Sequence, residues 1–258
     1  MPGRGRDFPA AIERDARLCH KLGHEFWRWE YRTLNRNQLL IGLIVLAVVA
    51  LGVVGYIVWQ NMSSSDDSLA SGPGAQYNVQ ISSWDRPMGS PKAPVTIVEY
   101  GAPTCPHCAF FDVNIFPQVK QNLIDKGKVY YIFRVFPLSQ YDVAAESIAR
   151  CLPEDNYFQF IDLLFRNQSK WDPDGYEIPD VHAALVQMGK VAGMSAEQVD
   201  SCINNQAEAK RIEDVGTEAQ TKYGINGTPT FLVNGQSHGP FGDFAEMQAF
   251  IDPMLAKK

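Results

Sequence analysis

The sequence predicts a mixed α/β domain that contains a helical insertion and is preceded by one membrane-spanning helix. Three observations lead to this class. Residues 39–59 form an apolar stretch without a charged side chain. Residues 95–136 have the pattern of a strand, a helix and a second strand. Residues 142–204 then carry apolar stripes at helical spacing, before another strand-forming region near the C-terminus.

The composition of the chain is that of a globular protein. Of its 258 residues, 45% are hydrophobic and 20% are charged, which is enough apolar material for one substantial domain with appendages. The net charge of −6 provides no basic surface that would neutralise phosphates. We therefore expect no nucleic-acid partner.

The apolar stretch at residues 39–59 is long enough to cross a bilayer as a helix. Because it follows 38 residues rather than a brief basic start, an uncleaved anchor is favoured over a secretory signal. Small side chains at Ser68 and Ala70 keep cleavage as an alternative. Eight basic residues precede the stretch and none follows it before Arg86, so we expect residues 1–38 in the cytoplasm.

The predicted span also separates the five cysteines of the chain. Cys19 lies on the cytoplasmic side, whereas the other four lie outside, where disulfides persist. The number outside is even, as expected for paired cysteines. Because this parity was not used to place the span, it supports the topology independently.

Outside the membrane, a predicted linker leads into one domain. Residues 60–90 are rich in Ser, Gly, Asp and Pro with little periodicity, which is typical of a flexible linker. The domain, residues 91–258, opens with a β-branched strand at residues 95–100, and a helix that begins with two cysteines follows it. A second strand at residues 129–136 completes a right-handed βαβ unit with parallel strands.

A wholly helical segment follows this unit. We assign it to residues from about 139 to 206, because its apolar stripes are separated by Pro, Gly or polar breaks. A further helix at residues 208–223 leads to a strand at residues 230–233, which the turn signal Asn234-Gly235 closes. With a last helix at residues 243–255, the prediction is a sheet with helices on both faces.

The tetrad Cys105-Pro106-His107-Cys108 admits several chemistries. A structural zinc site needs four ligands and the chain has one such cysteine pair, while the pattern for haem attachment is absent. A Cu(I) site stays open because two thiolates suit that ion. So does a structural disulfide, although so short a loop constrains the unfolded chain little.

A redox role fits the tetrad better. At the start of a helix, free backbone N–H groups and the positive end of the dipole favour the Cys105 thiolate, and His107 adds a donor or a positive charge. A stabilised thiolate makes the dithiol the stable form, so the disulfide readily accepts electrons from other thiols. We expect Cys105 to be the exposed sulfur that a substrate attacks and Cys108 to be its buried partner.

Two further features bear on this pair. Glu99 interrupts an apolar strand, where a buried carboxylate is protonated or paired and could relay protons to Cys108; a glutamate at a strand edge that faces water is the alternative. Thr228-Pro229 stands just before a strand and is a candidate cis bond, which would present backbone for pairing. A trans proline that merely begins the strand is the alternative.

Together these residues bear a family resemblance. Residues 93–111 (APVTIVEYGAPTCPHCAFF) and 223–235 (YGINGTPTFLVNG) resemble the DsbA-like branch of the thioredoxin superfamily, including membrane-anchored bacterial members of the BdbD type. The likeness extends over roughly residues 85–253. It implies a thioredoxin fold with a helical insertion, Cys105 as the nucleophile with Cys108 as its partner, and Pro229 in cis against them.

The resemblance also implies an activity and a setting. We expect a thiol-disulfide oxidoreductase tethered to the bacterial inner membrane, whose periplasmic domain introduces disulfides into exported proteins with free thiols. A DsbB-like membrane partner would reoxidise it, with no metal or cofactor. Thr228 departs from the valine of enteric DsbA and occurs in related isomerases and reductases, so a reductase or isomerase is an alternative. A tethered copper-binding module is the alternative from another class.

The two remaining cysteines, Cys151 and Cys202, lie in different helices of the predicted insertion. We interpret them as a structural disulfide, as some DsbA-like proteins are similar in carrying a bridge within this region. Such a bridge closes a loop of about 50 residues and stabilises the fold by about 4 kcal/mol in the chain-entropy model. Two buried free thiols are the alternative.

Overall fold

The computed structural model describes residues 35–63 and 74–256, which belong to two compact units divided after Ser63. Most of the predicted cytoplasmic segment, with Cys19, lies outside the described residues. So does the small-residue motif at residues 68–70.

The first unit contains one described helix, α1 (Arg36–Ser63). Its segment Leu40–Ile57 is apolar, and none of that segment is buried within the protein. By length and composition this helix is a candidate membrane span. It coincides with the apolar stretch that predicted the span.

The second unit is built on a five-stranded sheet. The strands are β1 (Pro87–Gly89), β2 (Val95–Gly101), β3 (Val129–Val135), β4 (Thr230–Val233) and β5 (Gln236–His238). Their order across the sheet is β1-β3-β2-β4-β5. Strands β2 and β3 are parallel, and the other neighbours are antiparallel. The central strand β2 is covered on both faces, which explains its nearly continuous apolar sequence.

A long helix, α2, connects the two parallel strands. It consists of four consecutive segments, the second and fourth with π-helical hydrogen bonding: Pro106–Phe110, Phe111–Ile115, Phe116–Val119 and Lys120–Ile124. Pro117 removes one amide donor from the helix, so an interruption of the regular α-helical ladder is expected here. The strand, helix and strand predicted at residues 95–136 are all present.

The region predicted as an insertion is helical. Its helices are α3 (Gln140–Cys151), α4 (Tyr157–Arg166), α5 (Gln168–Trp171), α6 (Val181–Val191) and α7 (Ala196–Ile203), with a 3₁₀ turn at Glu154–Asn156. Helix α8 (Gln206–Tyr223) returns to the sheet, and α9 (Phe244–Leu255) ends the described chain. Gly224 ends α8 in the left-handed conformation, with φ of 61°.

Alternate residues of β2 face two different clusters of buried side chains. Ile97 belongs to the larger cluster, which includes residues of α2, α3, α4 and α9. Val98 and Tyr100 belong to the smaller cluster, which includes residues of α8. Because side chains alternate along a strand, Glu99 projects towards the larger cluster, on the side of α2. The predicted mixed α/β class with helices on both faces is confirmed.

Residues ahead of the predicted boundary at residue 91 contact the domain. The Gly74 amide donates to the Ser237 carbonyl at 2.8 Å, so this segment borders β5. Arg134 donates two hydrogen bonds to the buried carboxylate of Asp85, at 2.9 and 2.8 Å. The Ser-, Gly- and Pro-rich composition gives no sign of these contacts, because they use backbone groups and one non-local ion pair.

Candidate active site

The cysteine pair lies where β2 ends and α2 begins. Cys105 is the N-cap residue of α2, with extended backbone angles, and Pro106 stands in the first turn, where its missing N–H leaves no hydrogen bond unmade. The Cys108 amide donates to Cys105 Sγ at 3.4 Å. The sulfur of Cys105 therefore occupies the position where the free amides of a helix start favour an anion.

The two sulfurs differ in exposure. Cys108 is fully buried, whereas Cys105 is 5% exposed and His107 lies at the surface between them. Cys105 is thus the more accessible sulfur, but it is less open than the sequence predicted. Both cysteines are unbridged in the structure.

Hydrogen bonds make the two thiols unequal acids. They lower the pKa of Cys105 to about 5, and the hydrogen bond from the Cys108 side chain has the largest effect. Burial of Cys105 opposes this decrease. Hydrogen bonds from the Thr228 side chain and from the amides of Cys108 and His107 lower the pKa further. Burial raises the pKa of Cys108 well above its ordinary value, and its bond to Cys105 and the charge of Glu99 add to this. At neutral pH the pair therefore holds a thiolate at Cys105 and a thiol at Cys108.

The loop before β4 faces Cys105. The Thr228–Pro229 peptide bond is cis, and the Thr228 carbonyl oxygen lies 3.4 Å from Cys105 Sγ. Pro229 is buried, and Thr230 Oγ1 donates to the Gly227 carbonyl at 2.7 Å. The fold thus brings together two groups that are 123 residues apart in the sequence.

Glu99 lies in the protein interior, with 1% of its surface exposed. The Tyr131 hydroxyl donates a short hydrogen bond to its Oε2. Burial raises the pKa of Glu99 to about 8; the bond from Tyr131 opposes the rise, and the charges of Asp112 and Cys105 add to it. A glutamate that faces water at a strand edge, the alternative that the sequence left open, is therefore excluded.

Two buried polar residues of the helical insertion hold the turn before Cys105. Asp142, in the first turn of α3, accepts hydrogen bonds from the Thr104 amide at 2.8 Å and the Thr104 hydroxyl at 3.0 Å. Gln168 of α5 donates from Nε2 to the carbonyls of Pro103 at 2.7 Å and Cys105 at 3.1 Å. The insertion therefore fixes the backbone that presents the Cys105 sulfur.

Sequence patterns did not select these two residues. Asp142 stands three positions after Ser139, and the two form a capping box. This spacing is visible in the sequence and could have located Asp142. Gln168 has no local signature, because its role depends on a contact with residues more than 60 positions away.

The other two cysteines of the domain are bridged. Cys151 and Cys202 form a disulfide with a Cα–Cα distance of 6.1 Å, which joins the end of α3 to α7. The structure thus has a bridge where two free thiols were the alternative. Within residues 35–63 and 74–256, no group of three or more His, Cys, Asp or Glu side chains is placed to hold a metal ion.

The sheet with helices on both faces and the cysteine pair at the start of a helix describe an α/β domain with two neighbouring thiols. Comparison with known proteins identifies the family of this domain. The sequence model of the thioredoxin family matches residues 82–253, two thirds of the chain, so the chain belongs to the thioredoxin family. A Rickettsia conorii protein, provisionally named a protein-disulfide oxidoreductase, is 35% identical over 159 residues, which cover 61% of this chain. That match spans only 56% of the rickettsial protein's own length.

Two further comparisons extend over more of the relative. A Bacillus cereus protein, provisionally named disulfide bond formation protein D, is 29% identical over 87% of this chain and 100% of its own length. The crystal structure of α-DsbA1 from Wolbachia pipientis matches with a TM-score of 0.64 at 28% identity, and the match covers 69% of this chain and 94% of that one. The resemblance to DsbA-like proteins is therefore confirmed.

Proposed function

We propose that this protein is a thiol-disulfide oxidoreductase that transfers a disulfide from Cys105 and Cys108 to exported proteins with free thiols. One observation carries the proposal: Cys105 caps the start of α2 with its sulfur 3.4 Å from the Cys108 amide, while Cys108, one turn later, is fully buried. A stabilised Cys105 thiolate lowers the free energy of the dithiol, so the disulfide is a ready electron acceptor. The names of the relatives agree with this chemistry.

The exchange has two steps. A substrate thiolate attacks Cys105 Sγ, the bond between Cys105 and Cys108 breaks, and Cys108 leaves with the electron pair and takes up a proton. A second substrate thiolate then attacks the substrate sulfur of the mixed disulfide, and Cys105 leaves as a thiolate. The substrate loses two electrons and gains a disulfide, while the pair becomes a dithiol.

The neighbouring groups have roles in this scheme. Buried Glu99 is the nearby acid that provides the proton for Cys108. The cis peptide at Thr228–Pro229 presents the backbone beside Cys105 to a substrate chain. His107 is exposed at the surface between the two cysteines and provides an N–H donor or a positive charge close to Cys105.

The proposed setting follows from the chain outside the domain. The candidate span in α1 and the eight basic residues before it support a single-pass protein with a cytoplasmic N-terminus. The catalytic domain is then periplasmic at a bacterial inner membrane. A DsbB-like membrane protein is the proposed source of oxidising equivalents.

Oxidative folding tests this function. Full-length oxidised protein is mixed with reduced ribonuclease, and disulfides are counted by alkylation and mass. We expect one disulfide to form for each oxidised protein molecule consumed, and none with Cys105→Ala. Rearrangement of scrambled ribonuclease without net oxidation would instead indicate an isomerase, and stoichiometric Cu(I) binding without thiol exchange a copper-binding module.

A further inference from the structure

Gln168 is a buried polar residue to which the exchange scheme assigns no role. Its Nε2 donates to the Pro103 carbonyl at 2.7 Å and to the Cys105 carbonyl at 3.1 Å. Gln168 is 7% exposed and Pro103 is buried, so the two bonds are shielded from water. One carboxamide nitrogen, which carries two N–H groups, therefore joins the helical insertion to the turn that contains the reactive cysteine.

Helix α5, which carries Gln168, is itself held in the interior of the domain. Trp171, at the end of this short helix, is fully buried, and its Nε1 donates to the Leu164 carbonyl of α4 at 2.9 Å. The Asp172 amide donates to the Gln168 carbonyl at 2.9 Å. The side chain that contacts the active site therefore extends from a fixed backbone.

The bonds from Gln168 complete the hydrogen bonding of the Cys105 backbone. The Cys105 amide donates to the Ala102 carbonyl at 2.9 Å, and the Cys105 carbonyl accepts from the Ala109 amide at 3.1 Å as well as from Gln168. With the peptide groups on both sides held, the position of the Cys105 sulfur depends only on the side-chain rotamer. The sulfur lies 3.4 Å from the Cys108 amide in this arrangement.

We propose that Gln168 is a positioning residue that holds the Cys105 sulfur at the start of α2 and thereby favours the dithiol form of the pair. The proposal rests on the function proposed above. It gives the helical insertion a part in setting the redox equilibrium of two cysteines that lie more than 60 positions earlier in the chain.

Fixing the backbone has unequal effects on the two redox forms. In the dithiol form, hydrogen bonds alone hold the Cys105 thiolate at the helix start, and they depend on the position of its backbone. In the disulfide form, the covalent bond to Cys108 holds the same sulfur whether or not Gln168 donates. Gln168 therefore stabilises the dithiol more than the disulfide.

Gln168→Met tests this role, because methionine has a similar length but no N–H donor. The first measurement is the rate of iodoacetamide alkylation of Cys105 in the reduced full-length protein as a function of pH. We expect the midpoint, at about 5 in the unaltered protein, to rise by about half to one unit. The alkylation rate at pH 5 should then fall by about two- to fivefold.

The second measurement is the equilibrium with glutathione. The dithiol passes two electrons to glutathione disulfide; two molecules of reduced glutathione and the Cys105–Cys108 disulfide form, with protons from Cys108 and from the buffer. In Gln168→Met the equilibrium constant for this oxidation should rise by about three- to tenfold at pH 7, because the thiolate is less stable. Gln159→Met, at an exposed position of α4, is the matched control and should change neither measurement.

A purely structural role predicts a different result. Gln168→Met would then lower the free energy of unfolding of both redox forms equally and leave the alkylation profile and the glutathione equilibrium unchanged. An unchanged profile or an unchanged equilibrium in the folded variant overturns the proposal.

A second variant covers failure of the first to fold. Gln168→Glu keeps the shape of the side chain, but its carboxylate oxygens face two carbonyl oxygens, so the midpoint should rise at least as far as in Gln168→Met. The absence of a rise in that variant overturns the proposal, and so does failure of both variants to fold. Failure of the unaltered protein to oxidise reduced ribonuclease would instead refute the proposed function.

Discussion

Replacing Cys108 by alanine or by serine isolates the largest contribution to the acidity of Cys105. The Cys108 thiol donates to the Cys105 sulfur, and this bond lowers the pKa of Cys105 more than any other group does. A hydrogen bond to a charged group is worth about 1.5–3 kcal/mol, and one pKa unit corresponds to about 1.4 kcal/mol. Cys108→Ala should therefore raise the pKa of Cys105 from about 5 by about one to two units.

Serine keeps an O–H donor of similar reach, so Cys108→Ser should retain a low pKa. The assay is the rate of iodoacetamide alkylation of Cys105 as a function of pH. At pH 6 the thiolate fraction should be about 90% in the unaltered protein and about 10–50% in Cys108→Ala. Equal pKa values in the alanine and serine variants would show that the backbone amides of the helix start are sufficient, and the assignment of the thiol donor would be wrong.

Three other predictions concern the same domain. Thr228→Val, which removes a hydroxyl that lowers the pKa of Cys105, should raise that pKa by up to about one unit in the same assay; an unchanged value would refute this role. Replacing both Cys151 and Cys202 by alanine opens a loop with a sequence separation of 51 and should reduce the free energy of unfolding by about 4 kcal/mol in guanidinium titrations, whereas a change below about 1 kcal/mol would contradict the chain-entropy account. Folding lowers the pKa of Cys105 from 9.0 to about 5, so the Cys105 thiolate stabilises the folded dithiol protein at alkaline pH and loses this effect as the pH falls towards 5. The free energy of unfolding of the dithiol form, measured by guanidinium titration and compared with that of the disulfide form, should therefore decrease as the pH is lowered from 8 to 5. An increase would contradict this prediction.

The sequence predicted those features that depend on local patterns. The charge-free stretch in α1 and the alternation of strand and helix around α2 are recognisable from periodicity and composition alone. Glu99 was noticeable because it is the one charged residue in an apolar strand. Each of these signals lies within about 20 residues of the feature it predicts.

Features held by distant contacts could not be predicted in this way. Asp85 lies in a segment with the composition of a linker, and its buried ion pair with Arg134 spans 49 residues. Gln168 looks like an ordinary polar position of an amphipathic helix, and only tertiary packing buries its side chain against the backbone of residues 103–105. The paired cysteines and Glu99 could therefore be selected from local sequence patterns, whereas the groups that contact them from distant parts of the chain could not.

The redox equilibrium of the full-length protein with glutathione tests the central claim most directly. The protein is equilibrated in buffers with defined ratios of reduced to oxidised glutathione, quenched in acid and alkylated, and the Cys105–Cys108 disulfide is measured by mass. We predict that the pair is mostly dithiol in a buffer in which glutathione itself is mostly oxidised, because the Cys105 thiolate stabilises the reduced form. A pair that stays oxidised in that buffer, and becomes a dithiol only under conditions more reducing than the glutathione couple, would contradict the account.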